Sequence, residues 1–176
     1  IDAIDPHLDV DCLGTASSDK FYANDNDIGF PTALACMRIL DSLPLDFNPP
    51  FGVKNIVVLG RGTLVGKPVA HLLEARGLKV DVVHSKTENT EELMKNADVI
   101  ISGIGKGKFI TAEKVKEGVV IIDAGTSEDN GSVVGDVDTV SITGKASYLS
   151  PTPGGVGPVT VAILLSNVLK VAKSMK

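Results

Sequence analysis

From Val53 onward, short apolar runs exchange with amphipathic segments, the pattern of βαβ units that build a parallel sheet covered on both faces. Asn55-Ile56-Val57-Val58-Leu59 reads as a buried strand. Gly60-Arg61-Gly62 then turns the chain into a helix from Leu64 to Arg76, with Leu64, Val65, Val69, Leu72 and Leu73 on one face and Gly77 as its cap. Val80 to Val83 predicts a second strand, Thr90 to Asn96 a short helix, and Asp98 to Ile101 a third strand. Thr111 to Lys116, opened by a Thr-x-Glu start, predicts a further short helix before the strand Val119 to Asp123. Four parallel strands with intervening helices make the expected class α/β, a doubly wound parallel sheet.

The flanks have a different character. Pro31 to Leu43 is an amphipathic helix opened by proline, and the Pro-rich stretch Pro44 to Phe51 stops it. At the far end, Pro158 to Met175 carries Val161, Leu164, Leu165, Val168, Leu169 and Val171 over a wide arc, so this helix needs partners on more than one side. The rigid turn Pro151-Thr152-Pro153-Gly154-Gly155-Val156-Gly157-Pro158 precedes it. These shifts divide the chain into residues 1–48, residues 49–153 as the central domain, and residues 154–176. Ile1-Asp2-Ala3-Ile4 begins without methionine, directly in an extended apolar/polar alternation, and reads as cut from a longer chain.

Composition narrows the partners. With 43% hydrophobic and 22% charged residues, the 176 residues hold enough apolar mass to close one core. A net charge of -5 and scattered lysines disfavour nucleic acid and anionic membrane as partners. Two cysteines, Cys12 and Cys36, without metal-ligand spacing suggest neither disulfide nor metal, and fit a reducing, cytoplasmic compartment. No apolar run approaches the roughly 20 residues of a membrane-spanning helix. A soluble protein without an export signal is expected.

Candidate chemistry centres on Gly60-Arg61-Gly62-Thr63-Leu64-Val65-Gly66, a GxGxxxG variant lying between a buried strand and a helix. Glycines remove the Cβ atoms that would keep a pyrophosphate from backbone N–H groups, while the helix N-terminus supplies partial positive charge. A tight turn without a ligand would show the same glycines; the agreement of strand, turn and helix favours the dinucleotide site. At the end of the second strand, where NAD-selective proteins place a carboxylate, this chain has His84-Ser85-Lys86-Thr87. That hydroxyl-rich, cationic turn suits a 2′-phosphate, to which Arg61 can add a planar fork, so NADP is expected over NAD.

Several motifs then occur together: Asp9-Val10-Asp11, Gly60-Arg61-x-x-x-Val65-Gly66-x-Pro68, His84-Ser85-x-Thr87, Ala97-Asp98, Gly135-Asp136-Val137, and Pro151-x-Pro153-Gly154-Gly155-Val156-Gly157-Pro158-x-Thr160. In this order the chain resembles the bifunctional methylenetetrahydrofolate dehydrogenase/cyclohydrolases, from Asp9 to about Asn167. The resemblance is to the later part of such a protein, including its Rossmann-like NADP-binding domain. It implies that residues 1–48 are a remnant of a second α/β domain, the folate/catalytic domain, with a linking helix, and that residues 154–176 are a helix returning toward it. The family's Tyr and catalytic Lys belong to the N-terminal domain ahead of that part, and Tyr22 and Lys20 are not in their motif context. The sequence departs from the family at Leu8, Cys12, Gly62 and Phe30 to Ala33; the family usually has Gly where Cys12 stands and Ser where Gly62 stands.

The resemblance implies oxidation of 5,10-methylenetetrahydrofolate by NADP to the 5,10-methenyl form, then hydrolysis to 10-formyltetrahydrofolate. It assigns cofactor contacts to Gly60, Arg61, Gly62, Leu64, Val65, Gly66, His84, Ser85, Thr87, Gly125 and Thr160. Folate contacts fall to Asp11, Pro153, Gly154 and Gly155, with Asp11 the pterin-binding carboxylate and the candidate catalytic residue on this chain. A carboxylate accepts two parallel hydrogen bonds from an amino-pyrimidinone edge. Hydride transfer chiefly needs alignment, whereas hydrolysis needs the Lys of the other domain. This chain is therefore expected to bind cofactor with little or no turnover, to use a folate substrate in its whole protein, and to form a homodimer. Another nicotinamide-dependent oxidoreductase of shikimate-dehydrogenase type, or a non-catalytic dinucleotide-binding module, would share the glycine turn.

Overall fold

The computed structural model describes residues 2–25, 27–48 and 52–175. Two helices come first, α1 (Thr15–Tyr22) and α2 (Pro31–Ser42). The alternating region then runs β1 (Ile56–Leu59), α3 (Gly66–Ala75), β2 (Val80–Val83), α4 (Thr90–Asn96), β3 (Val99–Ser102), a single 3-10 turn at Ala112–Lys114, and β4 (Val120–Asp123). A hairpin of β5 (Ser127–Asp129) and β6 (Ser132–Val134), the short α5 (Thr139–Ile142), β7 (Tyr148–Ser150) and the 19-residue α6 (Val156–Ser174) complete it.

The main sheet has five parallel strands in the order β2-β1-β3-β4-β7. Because side chains alternate across a strand, each central strand feeds both faces. Ile56, Val58, Val99, Ile101, Val120 and Ile122 point to one core, shared with Val69 and Leu73 of α3 and Ala33, Cys36, Met37 and Leu40 of α2. Val57, Leu59, Ile100 and Ile121 point to the other, shared with Met94 of α4 and Ile142 of α5. Helices therefore cover both faces, as the continuous apolar strands require. On the first face α2 also packs along α6.

Strand β1 lies between β2 and β3, so the chain reverses direction across the sheet at this point. The crevice outside the carboxyl ends of strands at such a reversal is where open α/β sheets bind ligands. At the opposite end, Asp98 fastens the start of β1. Its carboxylate accepts from Lys54 N–H and Asn55 N–H, both at 2.8 Å, and from the Lys116 ammonium. Burial pushes this carboxyl upward, but the Lys116 and backbone donors outweigh it and hold Asp98 below the ordinary carboxylate value.

Several boundaries differ from expectation. Helix α3 opens at Gly66, and Leu64 lies outside it in the turn, 53% exposed. The helix expected over Thr111 to Lys116 is only the 3-10 turn. Helix α6 starts at Val156, ahead of Pro158, whose missing N–H costs nothing within a first turn. Asp2 to Ile4 form turns rather than an extended segment, while Ile1 lies outside the described residues, as do Pro49, Pro50 and Phe51 of the expected linker. By length and composition alone α6 could cross a membrane, correcting the expectation that no run comes near. Its Thr160, Ser166, Asn167 and Lys170 are spaced so that the apolar average survives them.

Candidate functional site

The tight turn after β1 is built by steric necessity. Gly60 has φ +101°, in the region that L side chains rarely adopt, and its N–H donates to Val83 O at 2.8 Å. A Cβ on Gly66 would stand 2.1 Å from Gly60 O, so only glycine lets the helix start fold back over the turn. Gly62 differs: nothing lies within 4 Å of a Cβ built there, which explains how relatives of the resembled family can carry Ser at this position. Helix α3 has no side-chain cap: its Lys67 N–H donates to Gly62 O at 3.0 Å, and Pro68 has no N–H to give.

Around this turn a cleft of about 590 Å³ opens at the carboxyl ends of β1, β2 and β3. It brings together Gly60, Arg61, Gly62, His84, Ser85 and Thr87, six of the expected cofactor residues. The second-strand turn is internally fixed. His84 N–H donates to Thr87 Oγ1 at 3.0 Å, Thr87 N–H to His84 O at 2.9 Å, and Lys86 N–H to His84 Nδ1 at 3.2 Å. In the neutral imidazole this leaves the proton on Nε2. Gly103, Ile104, Lys106 and Phe109, arriving from the loop after β3, and Glu91 of α4 also line the cleft. The Lys106 ammonium lies 5.8 Å from the Phe109 ring centroid, and that of Lys114 4.2 Å.

A second cleft, about 420 Å³, lies on the other side of the glycine turn. Leu64, Val65, Pro153, Gly154 and Thr160 line it with Thr32, Ala124, Thr126 and Thr152. No Asp, Glu, His, Lys, Arg, Cys or Tyr is among its lining residues. Gly154 has φ +102° and Gly155 φ +43°, and a Cβ on Gly155 would meet Ser150 Oγ at 2.3 Å, so this turn also depends on its glycines.

Four expected residues line neither cleft. Gly66 and Gly155 stand behind the turns they shape. Gly125 is buried, where a Cβ would meet the Asp136 carboxylate at 2.1 Å. Asp11 is half-buried in the segment before α1, held by neighbours on both sides. Asp9 accepts from Leu13 N–H at 3.2 Å and Gly14 N–H at 2.7 Å, while Asn167 Nδ2 of α6 donates to Val10 O at 2.9 Å and to Gly29 O at 3.1 Å. Cys12 has φ 60°, which accounts for the Gly usual at this position in the resembled family.

Beneath segments that line the two clefts lies a buried pair of carboxylates that sequence reasoning left aside. Asp123 and Asp136 are both fully buried. Asp123 Oδ1 accepts from Gly125 N–H at 2.9 Å and Asp136 N–H at 3.1 Å, and Oδ2 from Val137 N–H at 3.0 Å. Asp136 Oδ2 accepts from Ser102 Oγ at 2.6 Å and Ile104 N–H at 2.9 Å, and Oδ1 from Lys106 N–H at 2.7 Å. Burial pushes Asp123 up to about 6, with the Asp136 charge adding to the rise and the three amide donors opposing it.

A doubly wound parallel sheet with a glycine turn at its point of reversal, and a hydroxyl-lined cationic cleft beside it, defines a nicotinamide-dinucleotide-binding domain. Residues 31–176 match the family described as tetrahydrofolate dehydrogenase/cyclohydrolase, NAD(P)-binding domain. The chain belongs to that family. It is 39% identical over 173 residues to the bifunctional protein FolD of Lactobacillus delbrueckii subsp. bulgaricus, covering 98% of this chain and 60% of that protein. Among solved structures, the Campylobacter jejuni bifunctional enzyme FolD superposes with a TM-score of 0.85 at 34% identity, over 95% of this chain and 58% of that one. The Trypanosoma brucei FolD, described as complexed with NADP cofactor and inhibitor, gives 0.84 at 34% identity over 98% and 60%. The chain thus spans about 60% of the length of the curated relatives it matches.

Proposed function

We propose that this chain binds NADP across the glycine turn, with the adenosine and 2′-phosphate in the larger cleft and the nicotinamide toward the smaller one. The observation that carries this reading is the convergence of Gly60, Arg61, Gly62, His84, Ser85 and Thr87 on one cleft. Arg61 supplies positive charge for a 2′-phosphate, and Ser85 and Thr87 supply hydroxyl donors. Glu91 is the one carboxylate among the lining residues, and it sits on α4 rather than at the end of β2. Phe109 and Ile104 offer an apolar wall for a flat base.

Within its whole protein, we infer a part in the NADP-dependent oxidation of 5,10-methylenetetrahydrofolate, with hydrolysis of the product to 10-formyltetrahydrofolate. The bound dinucleotide supplies the hydride acceptor. The smaller cleft has the character that step asks for: a non-ionisable wall of Leu64, Val65, Pro153 and threonines that excludes water and aligns flat rings without competing for protons. It offers no general base for hydrolysis, so this chain alone is expected to show little or no turnover. The same reading makes the protein a cytoplasmic homodimer, whose mass by light scattering would be twice that of one chain.

Calorimetric titration with NADP and NAD in parallel tests the reading. Tighter binding of NADP is expected; binding of neither would reduce the glycine turn to a structural role.

A further inference from the structure

The Asp123–Asp136 pair joins the loops that line both clefts. Asp136, in the segment following β6, holds Ser102 at the end of β3 and Ile104 and Lys106 of the loop after it, and Ile104 and Lys106 line the larger cleft. The Asp123 carboxylate holds Gly125, and its backbone carbonyl accepts from Thr152 Oγ1 at 3.1 Å. Ala124 and Thr126, on either side of Gly125, and Thr152 line the smaller cleft. Asp123 also fixes Asp136 itself through the 136 and 137 amides.

The packing leaves no slack in this tie. A Cβ at Gly135 would come within 2.0 Å of Asp123 Oδ2 and 2.8 Å of Thr152 Cβ, and one at Gly125 within 2.1 Å of Asp136 Cγ. Six donors reach two carboxylates from three separate segments, and four of them, Ser102, Ile104, Lys106 and Gly125, line a cleft or adjoin a residue that does. Purely structural packing would be served at lower cost by apolar side chains, since charge buried this deeply carries a desolvation penalty that its donors must offset.

Building on the proposed dinucleotide reading, we propose that Asp123 and Asp136 are positioning residues that set the spacing of the two clefts, so that disturbing either loosens cofactor binding from the loop side without touching 2′-phosphate recognition. The groups facing Asp123 are the Asp136 carboxylate, from the segment after β6, and the Cys36 thiol of α2.

The test is calorimetric titration of NADP and NAD against wild type, Asp136→Asn, Ser102→Ala and Arg61→Ala, with a melting curve for each. Asp136→Asn should weaken both cofactors by the same factor, about tenfold or more, and Ser102→Ala should do so by a smaller factor common to both. Arg61→Ala should weaken NADP far more than NAD. Wild-type affinity for NAD should also fall as pH drops through about 6, and Asp123→Asn should lose the part of this fall that the carboxyl contributes. Should Asp136→Asn fail to fold, the common factor in Ser102→Ala decides. Lower melting with unchanged affinity in these variants would overturn the proposal and leave the pair a stabilising element. Failure of the wild type to bind either cofactor would instead sink the dinucleotide reading, and the proposal with it.

Discussion

Asp123 should give this protein a distinctive acid profile. Burial raises its carboxyl from 3.8 to about 6, which corresponds to roughly 3 kcal/mol. A folded state with the higher pKa binds the proton more tightly than the unfolded chain does. The contribution to stability is therefore fully present below about 3.8 and is lost as pH rises through about 6. Asp9 and Asp98 act in the opposite sense. Both are held below the usual value, so their contribution is present above 3.8 and is lost only on further acidification. Urea unfolding of the wild type and Asp123→Asn across a pH series separates the two effects, because Asp9 and Asp98 are common to both proteins. The difference in unfolding free energy, wild type minus variant, should rise by up to about 3 kcal/mol between about pH 7 and about pH 4. A flat difference would mean that the three amide donors fully compensate burial, and a difference falling with acidification would mean that they win.

Three further outcomes follow from single contacts. Gly66→Ala drives a Cβ to 2.1 Å from Gly60 O, a backbone atom that cannot swing aside, and should lower unfolding free energy by about 3 kcal/mol in urea titration. Asn167→Ala strips the half-buried Val10 O and the buried Gly29 O of their donor; a loss of about 2–3 kcal/mol is expected, with faster amide exchange in residues 9–14. Gly131→Ala places a methyl at φ +78° in an exposed turn and should cost about 1 kcal/mol without changing NADP affinity by calorimetry.

Legibility in the sequence followed burial. Strands β1, β3 and β4 are covered on both faces and so are written as unbroken apolar runs, which periodicity finds without help. Strand β7 was missed because it is three residues long, pairs only with β4, and spends one of them on Ser150. The β5–β6 hairpin has no apolar alternation, yet Asn130-Gly131, with φ 51° and 78°, is the dipeptide that a two-residue hairpin turn demands and was its available signal. Helix α1 buries only Ser17 and Phe21, too sparse a stripe to register. In the larger cleft, Gly60, Arg61, His84 and Ser85 could be read because they sit at strand ends in recognisable local contexts. Lys106, Phe109 and Glu91 arrive from other segments and become neighbours only through the order of the strands. The Asp123–Asp136 tie is tertiary in the same sense, although Gly125 and Gly135, opposite each carboxylate, were its sequence trace.

The hydrogen bond from Asn167 to Val10 joins positions 157 apart along the chain. Closing a loop of that size costs about 4–5 kcal/mol in chain entropy, which one amide cannot return until the sheet between them has already drawn the ends together. The segment that presents Asp11 is thus made well before the helix that holds it, and takes shape only after that helix has been synthesised. During that interval α2 has lost its principal neighbour, and its buried face stands open to whatever binds nascent apolar helices.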